Sequence, residues 1–326
     1  MRKTHSLARL MAGALALACL VSNASTAQVI PKGSGLPWAS GVTKPVPDFG
    51  TWRGRRIDVH TRYFGLRDWE HIRLSANAKP TPGAVSVIGM AMVPNSHAGQ
   101  LAQCASGAFD KQIAAIRDHM MLRGWKGSYL RLGWEANRVA GSPGKAFAWA
   151  AQGDGTTYRE CFRRWVQVMN PGGVKNFYFV LSLANAGTFP YPILKMYPGD
   201  DVTDVIGSGF YDRCPPITTD AEWNKRISAK DKYGNPAGPQ AWLNWAKARG
   251  KKWALPEWGI GGSKTICKTP GIDNPFFIAK MHAFLKANAA SVAFDSYFNS
   301  DEGGGSHRLY PSTYNPKSSS RYRSLW

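Results

Sequence analysis

Eight short runs rich in β-branched and aromatic residues recur along the chain, with helix-length segments between most of them. The runs are 38–43, 57–64, 85–93, 129–137, 177–184, 202–211, 253–260 and 292–298. Between them, 109–122 sets Ile113, Ile116, Met120 and Met121 near one face with polar residues opposite, the spacing of an amphipathic helix. Further helix-like stretches are 158–169, 241–249 and 275–289. Strands alternating with helices imply βαβ units and a parallel sheet. Eight such strands in a 326-residue chain match an α/β (β/α)8 TIM barrel, which typically takes about 250 residues. The expectation is one barrel domain over 37–326, preceded by an arm at 28–36 and a separate leader at 1–27.

The leader reads as an export signal. Arg2, Lys3 and Arg9 form a basic start, residues 10–21 are an apolar run, and Ser25, Thr26 and Ala27 offer small residues for cleavage. The apolar run falls short of the roughly 20 residues that span a bilayer, and no later stretch approaches that length. A secreted protein, extracellular or periplasmic, is expected. Removing the leader also removes Cys19 and leaves Cys104, Cys161, Cys214 and Cys267. An even count in an exported chain suggests two disulfides, with three connectivities open. The sequence-near pairing, Cys104–Cys161 with Cys214–Cys267, closes two loops of similar length, each worth about 4 kcal/mol on the chain-entropy view. No Cys-x-x-Cys or close Cys/His set suggests zinc.

The charge balance is strongly basic, 41 Lys+Arg against 21 Asp+Glu, and +17 remains after the leader is removed. Such an excess invites a nucleic-acid partner. The cations are scattered, however, with no long basic run and no recognisable nucleic-acid motif, so nucleic acid is ranked last among partners. Only six of the acids are Glu, at 70, 135, 160, 222, 257 and 302.

Barrel active sites sit at the C-terminal ends of the strands. Two Glu fall there: Glu135 at the end of the fourth run and Glu257 at the end of the seventh, each beside a Trp, Trp134 and Trp258. Burial at such a position raises the pKa of whichever carboxyl lacks a cationic partner. Two carboxyls in unlike environments are what glycoside hydrolysis uses, one donating a proton to the leaving oxygen and the other attacking the anomeric carbon. In a retaining enzyme they stand about 5–5.5 Å apart. Indole and phenol rings nearby would stack on the C–H faces of sugars.

Three segments carry a family resemblance: 131–137 (Arg-Leu-Gly-Trp-Glu-Ala-Asn), 197–207 (Tyr-Pro-Gly-Asp-Asp-Val-Thr-Asp-Val-Ile-Gly) with Tyr211, and 256–259 (Pro-Glu-Trp-Gly). Together they resemble glycoside hydrolase family 26, the β-mannanases and relatives of clan A, from about residue 36 onward. The resemblance implies Glu135 as acid/base, Glu257 as nucleophile and Tyr211 as a hydrogen-bond donor to the nucleophile. Arg131, on the same strand face as Glu135, would hold a carboxylate ionised. Mannanases of this family usually carry His just before the acid/base, where Trp134 stands here. The last strand offers Asp295, Tyr297 and Phe298 in place of the family's Trp platform. The reaction type therefore carries over more firmly than the substrate.

Substrate contacts are expected from Arg131, Trp134, Tyr211, Trp258, Tyr297 and His60, the last weighed against a hydrogen-bonded structural histidine. Trp52, Trp149 and Trp223 are further stacking candidates, weighed against packing. Asp200 and Asp201 read as a turn or cap in preference to an ion site. No Gly-x-Ser-x-Gly elbow, dinucleotide loop or phosphate loop is present, and no cofactor or metal is expected. The leading expectation is a secreted, monomeric retaining glycosidase acting on a polysaccharide, of β-mannan type or a related hemicellulose. The alternatives are a glycosidase for an acidic exopolysaccharide and a binding protein that keeps the pair without the activity.

Overall fold

The computed structural model describes residues 30–44, 47–139, 146–185, 189–212, 215–261, 273–301, 307–311 and 314–326. The eight runs become β1 (Ala39–Thr43), β2 (Val59–Tyr63), β3 (Val85–Met90), β4 (Tyr129–Leu132), β5 (Tyr178–Leu183), β6 (Val205–Tyr211), β7 (Lys252–Gly259) and β8 (Val292–Phe298). Each pairs in parallel with the next, and β8 closes on β1. Because side chains alternate faces along a strand, every second residue points into the barrel. Ala39, Val59, Val87, Tyr129, Val180, Val205, Ala254 and Phe294, one from each strand, fill the floor of the interior. Ile30 joins them, so the arm belongs to the barrel. It is tied down by Asp58, whose carboxylate accepts from the backbone N–H groups of Ser34 (2.8 Å) and Ser40 (3.0 Å).

The helices among the described residues are α1 (Phe49–Arg53), α2 (Trp69–Leu74), α3 (Leu101–Ala105), α4 (Asp110–Leu122), α5 (Thr156–Met169), α6 (Asp220–Ile227), α7 (Pro239–Lys247), α8 (Pro275–Ala287) and α9 (Pro316–Leu325). On α4, Ile113, Ile116 and Met120 are buried as their spacing predicts. On α5, Tyr158, Cys161, Phe162, Trp165 and Met169 form the inner stripe. A disulfide joins Cys104 of α3 to Cys161 of α5. The expected Cys214–Cys267 bond and the leader at 1–27 lie outside the described residues.

Between β5 and β6 the described residues form a 3-10 turn, Ile193–Lys195, where an α-helix is the rule in this fold. The Asp-Asp pair that follows serves the turn. Asp201 is bridged by Arg163 of α5 at 2.8 and 2.9 Å, and Asp200 accepts from the Tyr197 hydroxyl. Among the described residues no helix is long and apolar enough to cross a membrane, and no group of three or more His, Cys, Asp or Glu is placed to hold a metal.

Two irregularities set the direction of the mouth residues. Between β6 and β7 the register runs from Gly207↔Ala254 to Gly209↔Glu257, so β7 carries one extra residue around Pro256. Plain alternation from the inward Ala254 would send Glu257 outward and Trp258 inward. The bulge reverses both. In β8, Phe294 is inward and pairing with β1 is regular, which leaves Asp295 and Tyr297 outward and Ser296 and Phe298 inward.

Candidate active site

Arg131 lies two residues beyond the floor residue Tyr129 and therefore points up the barrel axis. It is almost fully buried, and its guanidinium reaches the carboxylate of Glu257 at 2.7 Å, the Tyr63 oxygen at 3.4 Å and Ser182 Oγ at 3.1 Å. The Tyr63 hydroxyl donates to Glu257 Oε1, and the Tyr211 hydroxyl donates to Oε2 at 3.2 Å. A full positive charge and two hydroxyls thus converge on one carboxylate whose side chain is 9% exposed. This arrangement suits a charged carboxylate with a fixed direction of attack. Burial opposes the charge on Arg131, but Glu257 and Tyr63 outweigh it and move its pKa above the ordinary range. Burial, and then the charge of Glu257, push the Tyr63 phenol upward, so Tyr63 acts as a neutral donor.

Glu135 stands just past the end of β4, where the chain turns back over the mouth. Its backbone N–H donates to Ser182 O at 2.8 Å, and its φ is +54°, a left-handed conformation for which a non-glycine residue gives up roughly 1–3 kcal/mol. The turn is clamped by Asn137, whose side chain exchanges two hydrogen bonds with the backbone of Ala184, at 2.7 and 2.8 Å. Trp149 Nε1 donates to Trp134 O at 2.9 Å from behind. Burial raises the Glu135 pKa, the charge of Glu257 raises it further, and Arg138 and Arg131 pull it back. The net direction is upward, which keeps a proton available to higher pH. Arg138 Nη1 bonds Glu135 Oε2 at 2.7 Å.

A raised folded-state pKa means that ionised Glu135 destabilises the fold at neutral pH. The penalty is absent below the unfolded value near 4.3 and grows as pH rises through the folded value. Glu135→Gln is therefore expected to raise the stability by about 0.5–2 kcal/mol at pH 7 and by much less at pH 4. Thermal unfolding of both proteins at the two pH values measures this, and equal shifts at both would contradict it.

The structure corrects four expected substrate contacts. His60 faces outward, bonds Thr81 Oγ1 through Nδ1, and is driven to a pKa of about 3 by burial and by the charge of Arg62. It is a neutral structural histidine. Trp258 is fully buried on the outer side of the barrel, donates to Asp295 at 2.8 Å and packs on Trp326, because the β7 bulge turned it away from the mouth. Tyr297 is also fully buried and outward, with its hydroxyl on His307 O at 2.7 Å. Trp134 is only 5% exposed, wedged among Tyr63, Phe147 and Trp149, so it braces the wall and leaves no open face for a sugar. Trp52 stacks on Tyr310 and Tyr322, while Trp149 and Trp223 are buried.

Other residues occupy the mouth instead. Tyr63 was the largest omission, and its signal was its place at the inward end of the second run. Phe298, half-buried and against Tyr211 at 5.9 Å, takes the position expected of Tyr297. Asn185, just past β5, has both amide atoms buried without a partner among the described residues. Gly89 makes room for Tyr63: a Cβ there would meet the Tyr63 ring at 2.6 Å and Trp134 at 3.2 Å. Gly89→Ala is expected to cost about 1–3 kcal/mol and to lower kcat by displacing the Tyr63 hydroxyl from Glu257. Melting and steady-state kinetics measure it, and an unchanged kcat would contradict it.

Solved structures described as family 26 glycoside hydrolases share this closed barrel fold. The chain is similar to GH26C from Muricauda sp. MAR_2010_75, with a TM-score of 0.62 and 15% identity over 88% of this chain and 84% of that one. A modular endo-β-1,4-mannanase from Cellulomonas fimi gives 0.59 and 18% over 88% and 70%. The Bacillus subtilis mannanase BCman gives 0.58 and 14% over 93% of both chains. At these identities the likeness is one of fold. No protein-family model and no curated protein sequence matches the chain.

Proposed function

We propose that the protein is an exported retaining glycoside hydrolase that cleaves β-glycosidic bonds in a polysaccharide by double displacement. The observation that carries this reading is the contrast between two glutamates at one barrel mouth. Glu257 is gripped by Arg131, Tyr63 and Tyr211, whereas burial and the charge of Glu257 push the pKa of Glu135 up. In the first step Glu257 attacks the anomeric carbon while Glu135 gives its proton to the departing oxygen. In the second, Glu135 takes a proton from water, which attacks the same carbon and frees Glu257. Tyr63, Tyr211 and Arg131 hold the nucleophile in line, and Phe298 and Asn185 are assigned to the sugar. Export rests on the leader pattern at 1–27, and the Cys104–Cys161 disulfide accords with an oxidising compartment.

A β-mannan-type backbone, or a related hemicellulose, is the first substrate to test because similar folds belong to proteins named as mannanases. A glycosidase for an acidic exopolysaccharide is the second reading, favoured by the strongly basic chain and by Arg138 at the proton donor. Digestion of mannans, xylans, mixed-linkage glucans and acidic exopolysaccharides, followed by proton NMR of the newly formed reducing ends, tests the function. The β-anomer is expected first. Initial release of the α-anomer, or no cleavage of any glycan, would overturn it.

A further inference from the structure

The ion pair on the proton donor sits oddly with its chemistry. A general acid must hold a proton when the glycosidic bond breaks, yet Arg138 places a guanidinium 2.7 Å from Glu135 Oε2. Arg138 follows Glu135 by three residues on the turn over the mouth, and its side chain is 23% exposed, so a ligand entering the mouth can reach it. Its guanidinium also lies 5.9 Å over the half-buried ring of Phe147, which borders the same turn. The other charges acting on Glu135 come from Glu257 on β7 and Arg131 on β4, with Tyr63 of β2 and Tyr211 of β6 closing around Glu257. Arg131 is committed to Glu257. Arg138 is the cation whose attachment to the donor a substrate can change.

We propose that Arg138 is a specificity-determining residue for glycans carrying a carboxylate on the leaving-group side of the scissile bond. This rests on the glycosidase reading above and deepens it. A sugar carboxylate entering there takes Arg138 into a bidentate pair, the arrangement guanidinium favours, and releases Glu135 to carry its proton. Bond cleavage moves that proton to the leaving oxygen as the Glu257–anomeric carbon bond forms, and Glu135 is left ionised. The departing fragment takes its carboxylate away, and Arg138 returns to Glu135. The second step needs that same ionised form as base to accept the proton of the attacking water. One guanidinium thus serves the acid and base phases in turn, with an acidic sugar as the exchange partner. A neutral leaving group leaves Arg138 on the donor in the first step.

The test uses acidic exopolysaccharides, the same polymers after chemical reduction of their carboxyls to alcohols, and neutral mannan, each with wild type, Arg138→Gln and Arg138→Lys. Wild type is expected to cleave an acidic polymer with kcat/KM about tenfold or more above its reduced form, the order of one charge-assisted hydrogen bond. Arg138→Gln is expected to bring that ratio close to one and to move the basic limb of its pH profile upward, and Arg138→Lys is expected to restore part of the preference. Unchanged melting of the variants separates this from misfolding. Equal rates on acidic and reduced polymers, or a preference that survives Arg138→Gln, would overturn the proposal while leaving the glycosidase reading intact. Absence of cleavage on every polymer, with no labelling of Glu257 by a 2-fluoro glycoside, would overturn both.

Discussion

Replacing Glu257 by alanine is expected to lower kcat by roughly four to six orders of magnitude, the loss that follows removal of a covalent nucleophile. Exogenous azide should restore part of the rate by attacking from the vacated space, and the glycosyl azide formed should have inverted anomeric configuration. The same change leaves Arg131, almost wholly buried inside the barrel, without its counter-ion. A buried charge stripped of its partner costs about 3–5 kcal/mol. The variant should therefore lose both activity and thermal stability. Rescue by azide keeps the two effects apart, because an unfolded protein is not rescued. Undiminished hydrolysis would remove Glu257 from the mechanism.

Arg131→Met makes the complementary prediction and should have a comparably large effect on stability. It leaves a carboxylate with a 9% exposed side chain facing only the Tyr63 and Tyr211 hydroxyls. The expected loss is again about 3–5 kcal/mol, which corresponds to roughly 10 °C in Tm. The double variant Arg131→Met, Glu257→Gln removes both charges and should recover much of that loss, since the two sites share one interaction. Additive losses in the double variant would mean that the ion pair does not couple them. Activity should fall sharply in every member of the cycle, because each either replaces Glu257 or removes the guanidinium that fixes its direction.

Most of the barrel was legible because its strands are short, apolar and regularly interrupted. Seven of the runs begin within three residues of the strands they foretold, and the eighth, Val292–Phe298, matches throughout. The inner face of α4 followed from spacing alone. Glu135 and Glu257 were legible because acids are scarce and these two stand at strand ends. The direction of the residues beside them was not. Trp258 and Tyr297 carry aromatic rings next to the mouth in sequence, yet one inserted residue around Pro256 and the outward parity of β8 turn them into the helix layer. Proline inside a central strand is itself a bulge signal, and Pro256 marks the place. Tyr63 needed the register between β2 and β7 before it could be joined to Glu257. Arg138 lay in a turn with no periodic pattern, so only the φ of +54° at Glu135 and the fold of the loop brought its guanidinium onto the carboxylate.

The central claim is that Glu257 becomes covalently attached to sugar during turnover. Incubation with an activated 2-deoxy-2-fluoro glycoside of the sugar found in the substrate screen, followed by mass spectrometry of proteolytic fragments, measures this directly. The expected result is one added fluoroglycosyl unit on the peptide containing Glu257, absent from Glu257→Ala and longer-lived in Glu135→Gln, which lacks the base of the second step. A label on any other residue, or hydrolysis of the natural glycan with no trapped intermediate, would contradict it.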